Sequence, residues 1–359
     1  MRARVRALVI SPTDPLFEDL RDPDLLTLAS IRRSNPGFTT AAFVTQVREL
    51  LSSLEVGLLL IMHRSQSVFV FDLVDRQPTV IYSDGHYEPR LGLGASLPLR
   101  WTNDQVLREI MFLLAAAPAS AFLQLPASPA TNLKVLAAGW RAMERATANW
   151  CWGAEQARVL ARAVPSIARR TRFVPPFIDG GIFDSSLVDR EKVVLFTSTM
   201  HNLDKKGLPE LLAVMDAMPD LRVRCVVGQP HRFPEIADRF RGRLQVERLD
   251  RSQLRRVFHT AWVNCRISHE DNAPLSVLES MTCELPQVVS PAVAREIPLL
   301  ENGQTGFIVD PDDRESLAQV MRQLLTDPAL RNRMGRECRA RALAYDFSRR
   351  TSEILDLVR

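Results

Sequence analysis

The feature that most constrains this 359-residue chain is the stretch from Trp262 to Val309. An apolar, strand-like run from Ala261 to Ile267 enters a polar corner, His269-Glu270-Asp271-Asn272. A helix then begins near Pro274 and carries Glu279 inside its second turn. Strand, polar corner and helix in that order build a loop suited to a ligand. Asn272 is a residue type that caps helices, and Pro274 suits a first turn, where its missing N–H costs nothing. The N–H groups of such a helix start, together with the helix dipole, favour a phosphate. Seven residues separate Asp271 from Glu279, so one carboxylate sits on the loop and the other about two turns along the helix, and both can look into one cleft.

Around this stretch the chain alternates between strand and helix patterns. In the first half, Val5–Ile10, Val56–Met62 and Thr79–Tyr82 read as strands, while Leu25–Arg32, Ala41–Leu54 and Gln66–Asp75 have helical spacing. A second alternating set begins at Glu191–Phe196 and continues through strands at Arg222–Val227 and Val246–Leu249. Ser252 is placed to cap the helix that follows. Leu317, Val320, Met321, Leu324 and Leu325 form one apolar stripe after the acidic cap Asp310–Asp313, which marks a core-facing helix. Helices follow over Pro328–Tyr345 and from Phe347 to the end. Alternation of this kind predicts an α/β fold with parallel sheets covered on both faces. Ligands in such sheets gather beyond the carboxyl ends of the strands, which selects His63 and the pair Asp84 and His86 in the first half. Residues 171–185 hold two prolines and two glycines with few helix formers, a linker signature that divides the chain near residue 180.

Composition narrows the class. With 46% apolar residues the chain can bury two cores of ordinary size. No apolar run approaches the roughly 20 residues of a membrane span. The N-terminal MRARVRALVI meets Ser-Pro-Thr-Asp-Pro after a few apolar residues, as a first core strand would and a secretory signal would not. Five scattered cysteines predict buried thiols in a reducing cytoplasm, and neither they nor the six histidines show metal-ligand spacing. Asp22-Pro23-Asp24 reads as a solvated turn. The net charge of +4 comes from residues 1–180, which hold 20 basic and 16 acidic residues; residues 181–359 hold 26 of each. That excess leaves open a peripheral contact of the N-terminal half with an anionic surface. There is no interleaving of aromatic and basic residues of the kind that stacks on nucleic acid.

The central stretch resembles the retaining GT-B glycosyltransferases of the family 4 type (glycosyl transferases group 1), whose signature is an acidic residue, seven others, then Glu. Asp271-Asn-Ala-Pro-Leu-Ser-Val-Leu-Glu279 matches it, and Leu285-Pro286-Gln287-Val288-Val289, Glu296 and Asn302-Gly303-Gln304-Thr305-Gly306 follow in the family's order. Two positions depart. The family usually has Glu and a glycine-bearing loop where this chain reads Asp271-Asn272-Ala273, and Cys-Gly-Leu-Pro where it reads Cys283-Glu284-Leu285-Pro286. Lys206-Gly207 matches a lysine–glycine pair that holds the donor diphosphate in the family. The partner arginine is absent: its place holds Met200 or His201, so that Lys205, His201 or an arginine from elsewhere would take the role.

The resemblance implies two Rossmann-like domains facing each other across a cleft. The expected limits are 1–180 for the acceptor, 181–340 for the nucleotide-sugar, and a helix over 341–359 crossing back to the first. It also implies transfer of a sugar, with retention and without a metal, from a nucleotide-diphosphate donor to a hydroxyl of a glycan, lipid or small molecule. A UDP-sugar is expected over a GDP-sugar. Under the resemblance, Lys206, Lys205 and the helix start at Asn272 and Pro274 would hold the diphosphate, Glu279 the ribose, and Gly228 and Leu249 the rest of the nucleotide. Asp271 would meet the donor sugar, and Asp84 and His86 the acceptor. Two other readings stand beside this one: a non-catalytic sugar-nucleotide or glycan-binding protein, and a GT-B nucleotide-sugar epimerase.

Overall fold

The computed structural model describes residues 5–11, 25–32, 45, 49, 58–62, 79–84, 146–163, 165–176, 178, 180, 190–198, 203–228, 230, 234–269, 271 and 273–346. The chain divides into two compact units, Met1–Val174 with Thr351–Arg359, and Pro175–Arg350.

The first unit contains six strands among the described residues: β1 (Val5–Ser11), β2 (Leu25–Arg32), β3 (Leu58–Met62), β4 (Thr79–Asp84), β5 (Ala148–Cys151) and β6 (Thr171–Phe173). They form one parallel sheet in the order β2-β1-β3-β4-β5-β6. Helix α1 (Ala154–Ala163) follows β5. Two expectations are corrected here. Leu25–Arg32 is a strand paired along its length with β1, not a helix. An apolar run this short has no period that separates the two states, and sheet pairing decided it. Residues 171–173, read as the start of the linker, complete the sheet beside β5, and the chain leaves the unit only at Pro175-Pro176. Of Ala41–Leu54, Thr45 and Glu49 are described, both helical. The expected helices at Gln66–Asp75 and beyond Phe347, and the turn at Asp22–Asp24, lie outside the described residues.

The second unit is a parallel sheet of β7 (Val194–Ser198), β8 (Val223–Val227), β9 (Leu244–Glu247), β10 (Val263–Arg266), β11 (Gln287–Val289) and β12 (Gly306–Ile308), in the order β12-β11-β10-β7-β8-β9. Counted from β7, this is the order of a dinucleotide-binding sheet. Strand β7 explains why the sheet is covered twice. Val194 and Phe196 join a core with Leu211, Met215, Leu317 and Met321, whereas Leu195 joins a second core with Val257, Phe258, Cys283 and Leu285. Successive side chains of a strand point to opposite faces, so both faces must be sealed by helices. The covering helices are α2 (Leu208–Ala217), α3 (Pro234–Arg239), α4 (Arg251–Thr260), α5 (Leu275–Thr282), α6 (Pro291–Glu296), α7 (Arg314–Thr326) and α8 (Pro328–Ala342).

The cap of α4 is Asp250, not Ser252: the Asp250 carboxylate accepts from the Gln253 N–H at 2.8 Å, the Gln253 side chain returns to the Asp250 N–H, and the Ser252 hydroxyl donates to Asp250. A carboxylate two residues earlier reaches the orphan N–H groups that a serine already inside the helix cannot. Strand β9 ends at Glu247, so Leu249 lies beyond it. The stripe on α7 is core as expected, capped by Asp313, with Leu317, Met321, Leu324 and Leu325 buried. All five cysteines are buried free thiols, and burial pushes the Cys225 and Cys283 thiols up to about 12.

Candidate active site

The strand order of the second unit reverses between β7 and β10, and a crevice opens at such a reversal beyond the carboxyl ends of the two strands. The chain leaving β7 makes a 3₁₀ turn, Asp204–Lys206, and enters α2 through Gly207. Gly207 has φ of 83°, and a Cβ there would stand 2.3 Å from the Ile267 carbonyl oxygen. Only glycine both adopts this backbone and lets the turn lie flat against the exit of β10. The two exits are then stitched together. The His269 N–H donates to the Lys205 carbonyl at 3.0 Å, and His269 Nε2 lies 2.8 Å from Glu210 Oε1.

Lys206 and Asp271 meet at this junction. Lys206 Nζ lies 3.0 Å from Asp271 Oδ1, and both side chains are almost fully buried. Arg266, the last residue of β10, donates from Nε to Asp271 Oδ2 at 2.7 Å, and the Ser268 hydroxyl donates to the same oxygen at 2.7 Å. The Arg266 guanidinium also donates to the Thr197 carbonyl on β7. Burial alone would raise the Asp271 pKa; the charges of Arg266 and Lys206 and the bonds from Arg266 and Ser268 outweigh it and hold the carboxyl down at about 2. Asp271 is therefore a carboxylate at any working pH.

Beyond Asp271 the chain turns through Ala273, at φ of 32°, into Pro274, which is the N-cap of α5 and not a member of its first turn. The positive φ swings the chain so that the helix starts at Leu275, one residue later than the proline's preference for the first turn suggested. Asn272 lies outside the described residues, and the N-cap Pro274 makes no side-chain cap hydrogen bond. The far end of α5 is closed tightly. Glu284 takes φ of 59°, its N–H bonds to the Met281 carbonyl and the Leu285 N–H to the Ser280 carbonyl, which is a Schellman turn with glutamate in glycine's usual place. Arg190 donates to the Cys283 and Glu284 carbonyls at 2.7 and 2.9 Å, and Arg339 to the Thr282 carbonyl. The negative end of the helix dipole is thus neutralised by two guanidinium groups. Glu279 sits between these ends, buried.

The expected site residues are distributed as follows. Lys206 and Asp271 are in direct contact; Glu279 and Pro274 belong to the helix that Asp271 leads into; Lys205 is exposed and touches the site through its carbonyl. Gly228 follows β8, and Leu249 lies half-buried against the core of Leu195, Val226 and Phe258, both at the same edge of the sheet. Asp84 ends β4 in the first unit, and its side chain is not described; His86, His63, Met200 and His201 lie outside the described residues. The residue that sequence reasoning missed is Arg266. A signal existed: an arginine inside the buried run Val263-Asn-Cys-Arg-Ile267 demands a carboxylate partner, and Asp271 is five residues away. Among the described residues no group of three or more His, Cys, Asp or Glu side chains is placed to hold a metal, and no helix is long and apolar enough to cross a membrane.

Residues 191–327 match the family model described as Glycosyl transferases group 1. Sulfoquinovosyl transferase SQD2 of Arabidopsis thaliana is 29% identical over 158 residues, which cover 42% of this chain and 30% of the relative. The match spans about a third of the length of the curated relatives. Among solved structures, the sucrose-phosphate synthase of Thermosynechococcus elongatus superposes with a TM-score of 0.70 at 17% identity, covering 99% of this chain and 98% of the other. The Anabaena protein HepE, solved with UDP and glucose, superposes with a TM-score of 0.67 at 14% identity, covering 98% and 99%. These likenesses establish the fold as α/β of the GT-B class, built from two Rossmann-like units.

Proposed function

We propose, from the match of residues 191–327 to the glycosyl transferases group 1 model, that this protein is a retaining, metal-independent glycosyltransferase that moves a sugar from a nucleotide-diphosphate donor to a hydroxyl acceptor. The observation that carries the reading is the buried Lys206–Asp271 pair at the reversal of strand order, followed directly by the start of α5. Cleavage of a nucleotide-sugar bond develops negative charge on the leaving diphosphate. Lys206 and the α5 N-terminus supply positive charge to it. Glu279 accepts the ribose hydroxyls of the donor. Asp271 faces the donor sugar and stabilises positive charge as the glycosidic bond lengthens. Asp84 and His86 orient the acceptor, which is a glycan, a lipid or a small molecule. A UDP-sugar is the favoured donor, supported by the UDP and UDP-glucose complexes of HepE.

The test is donor turnover. Wild-type protein incubated with a panel of UDP- and GDP-sugars in excess chelator is expected to release nucleoside diphosphate from one donor. Lys206→Ala is expected to lose that release, and NMR of the product should show the donor's anomeric configuration. Nucleotide binding without turnover of any donor, with or without candidate acceptors, would favour a non-catalytic binding protein. Interconversion of the donor sugar without an acceptor would favour an epimerase.

A further inference from the structure

The two oxygens of Asp271 are held unequally. Oδ2 takes bonds from Arg266 and Ser268, both on the chain that leads into Asp271 and both at 2.7 Å. Arg266 is itself braced across the sheet on the Thr197 carbonyl of β7. Oδ1 takes the longer bond, 3.0 Å, from Lys206, which stands on the 3₁₀ turn after β7 at the end of a flexible four-carbon stem. One oxygen is fixed to the scaffold; the other is tied to a side chain that can swing.

We infer that Asp271 and the donor diphosphate compete for Lys206, and that Arg266 is the positioning residue that makes the exchange possible. This rests on the reading that Lys206 meets a nucleoside diphosphate. As the diphosphate enters, Lys206 leaves Oδ1 for a phosphate oxygen, and no bond other than hydrogen bonds and ion pairs is made or broken. Asp271 does not become a stranded buried anion, because Arg266 and Ser268 keep Oδ2. The vacated Oδ1 then accepts a hydroxyl of the donor sugar. Sugar recognition by this carboxylate becomes conditional on a seated diphosphate, which discriminates against free sugars and sugar monophosphates. Arg266 thereby supports the diphosphate site through Asp271, in a chain that lacks the family's arginine beside the lysine–glycine turn.

The sign of the competition is testable with UDP as the probe, by calorimetry. Asp271→Asn removes the competitor and keeps the shape, so UDP binding is expected to tighten by about fivefold. In a Lys206→Met background the same substitution is expected to change nothing, whereas a general field effect would persist there. Arg266→Met is expected to weaken UDP binding while Asp271 is present and to have no effect once Asp271 is Asn. A crystal structure of the wild type with UDP needs no variant to fold. It should show Lys206 Nζ on a phosphate oxygen and Arg266 still on Asp271. Unchanged or weaker UDP binding in Asp271→Asn, or Lys206 still bonded to Oδ1 with UDP bound, overturns the exchange while leaving the glycosyltransferase reading intact. Failure of wild type to bind any nucleoside diphosphate removes that reading and the exchange with it.

Discussion

Ala273 and Glu284 are the non-glycine residues with positive φ among those described, and they stand where the chain departs from the glycines of its family. The sequence marks both positions but cannot say whether the backbone straightened or the strain was kept; the structure keeps it. An L-residue in the left-handed region carries a penalty of about 1 kcal/mol, so Glu284→Gly is expected to raise stability by about that amount in urea unfolding. Arg190 bonds to the Glu284 backbone, and the substitution leaves those acceptors in place. Asp271 carries the opposite kind of term. Its folded-state pKa of about 2 lies below the ordinary 3.8, so its stabilisation is complete above pH 4 and is lost as pH falls towards 2. On the order of 2 kcal/mol of wild-type stability should disappear over that interval and be missing from the pH profile of Asp271→Asn, measured by urea unfolding. Lys206, Asp271 and Glu279 were singled out because two short family motifs carry them. Arg266 was not, because its role depends on β7 and β10 lying side by side, which no local pattern encodes.

Helix α5 is where the site's geometry is set. It is eight residues long, and Val277 to Thr282 are all buried, so it is oriented by what surrounds it more than by its own propensity. Helix α8 lies against its C-terminal end, and Gly335 is the point of contact: a Cβ there would stand 2.2 Å from the Glu284 carbonyl oxygen. Backbone cannot yield as a flexible side chain does. Gly335→Ala is expected to cost about 2 kcal/mol, read as a lower urea midpoint, and to loosen the Schellman turn. In the second unit β7, β8 and helix α7 could be read from sequence because their buried apolar runs and the Leu317–Leu325 stripe are long enough to show a period. Leu25–Arg32 was misread because its pattern suits either state until a partner strand is known. The start of α5 was misjudged by a residue because a positive φ at an alanine has no signal in composition.

Two parallel sheets in one chain, with orders β2-β1-β3-β4-β5-β6 and β12-β11-β10-β7-β8-β9, each have a reversal where a ligand crevice can form. Lys206, Arg266, Asp271 and Glu279 all belong to the second unit, Pro175–Arg350. Donor binding is therefore expected to be governed by that unit, with positive charge supplied by Lys206 and the α5 dipole. Excess chelator should leave the affinity unchanged. The direct measurement is calorimetric titration of UDP, GDP, ADP, CDP and dTDP into wild type and Glu279→Ala in EDTA. One nucleotide, with UDP favoured, should bind wild type selectively, and Glu279→Ala should weaken it by about tenfold through loss of charge-assisted bonds to the ribose. Equal affinity in the two proteins, or binding to wild type only when a divalent ion is added back, would contradict a metal-free donor site built on Lys206 and Glu279.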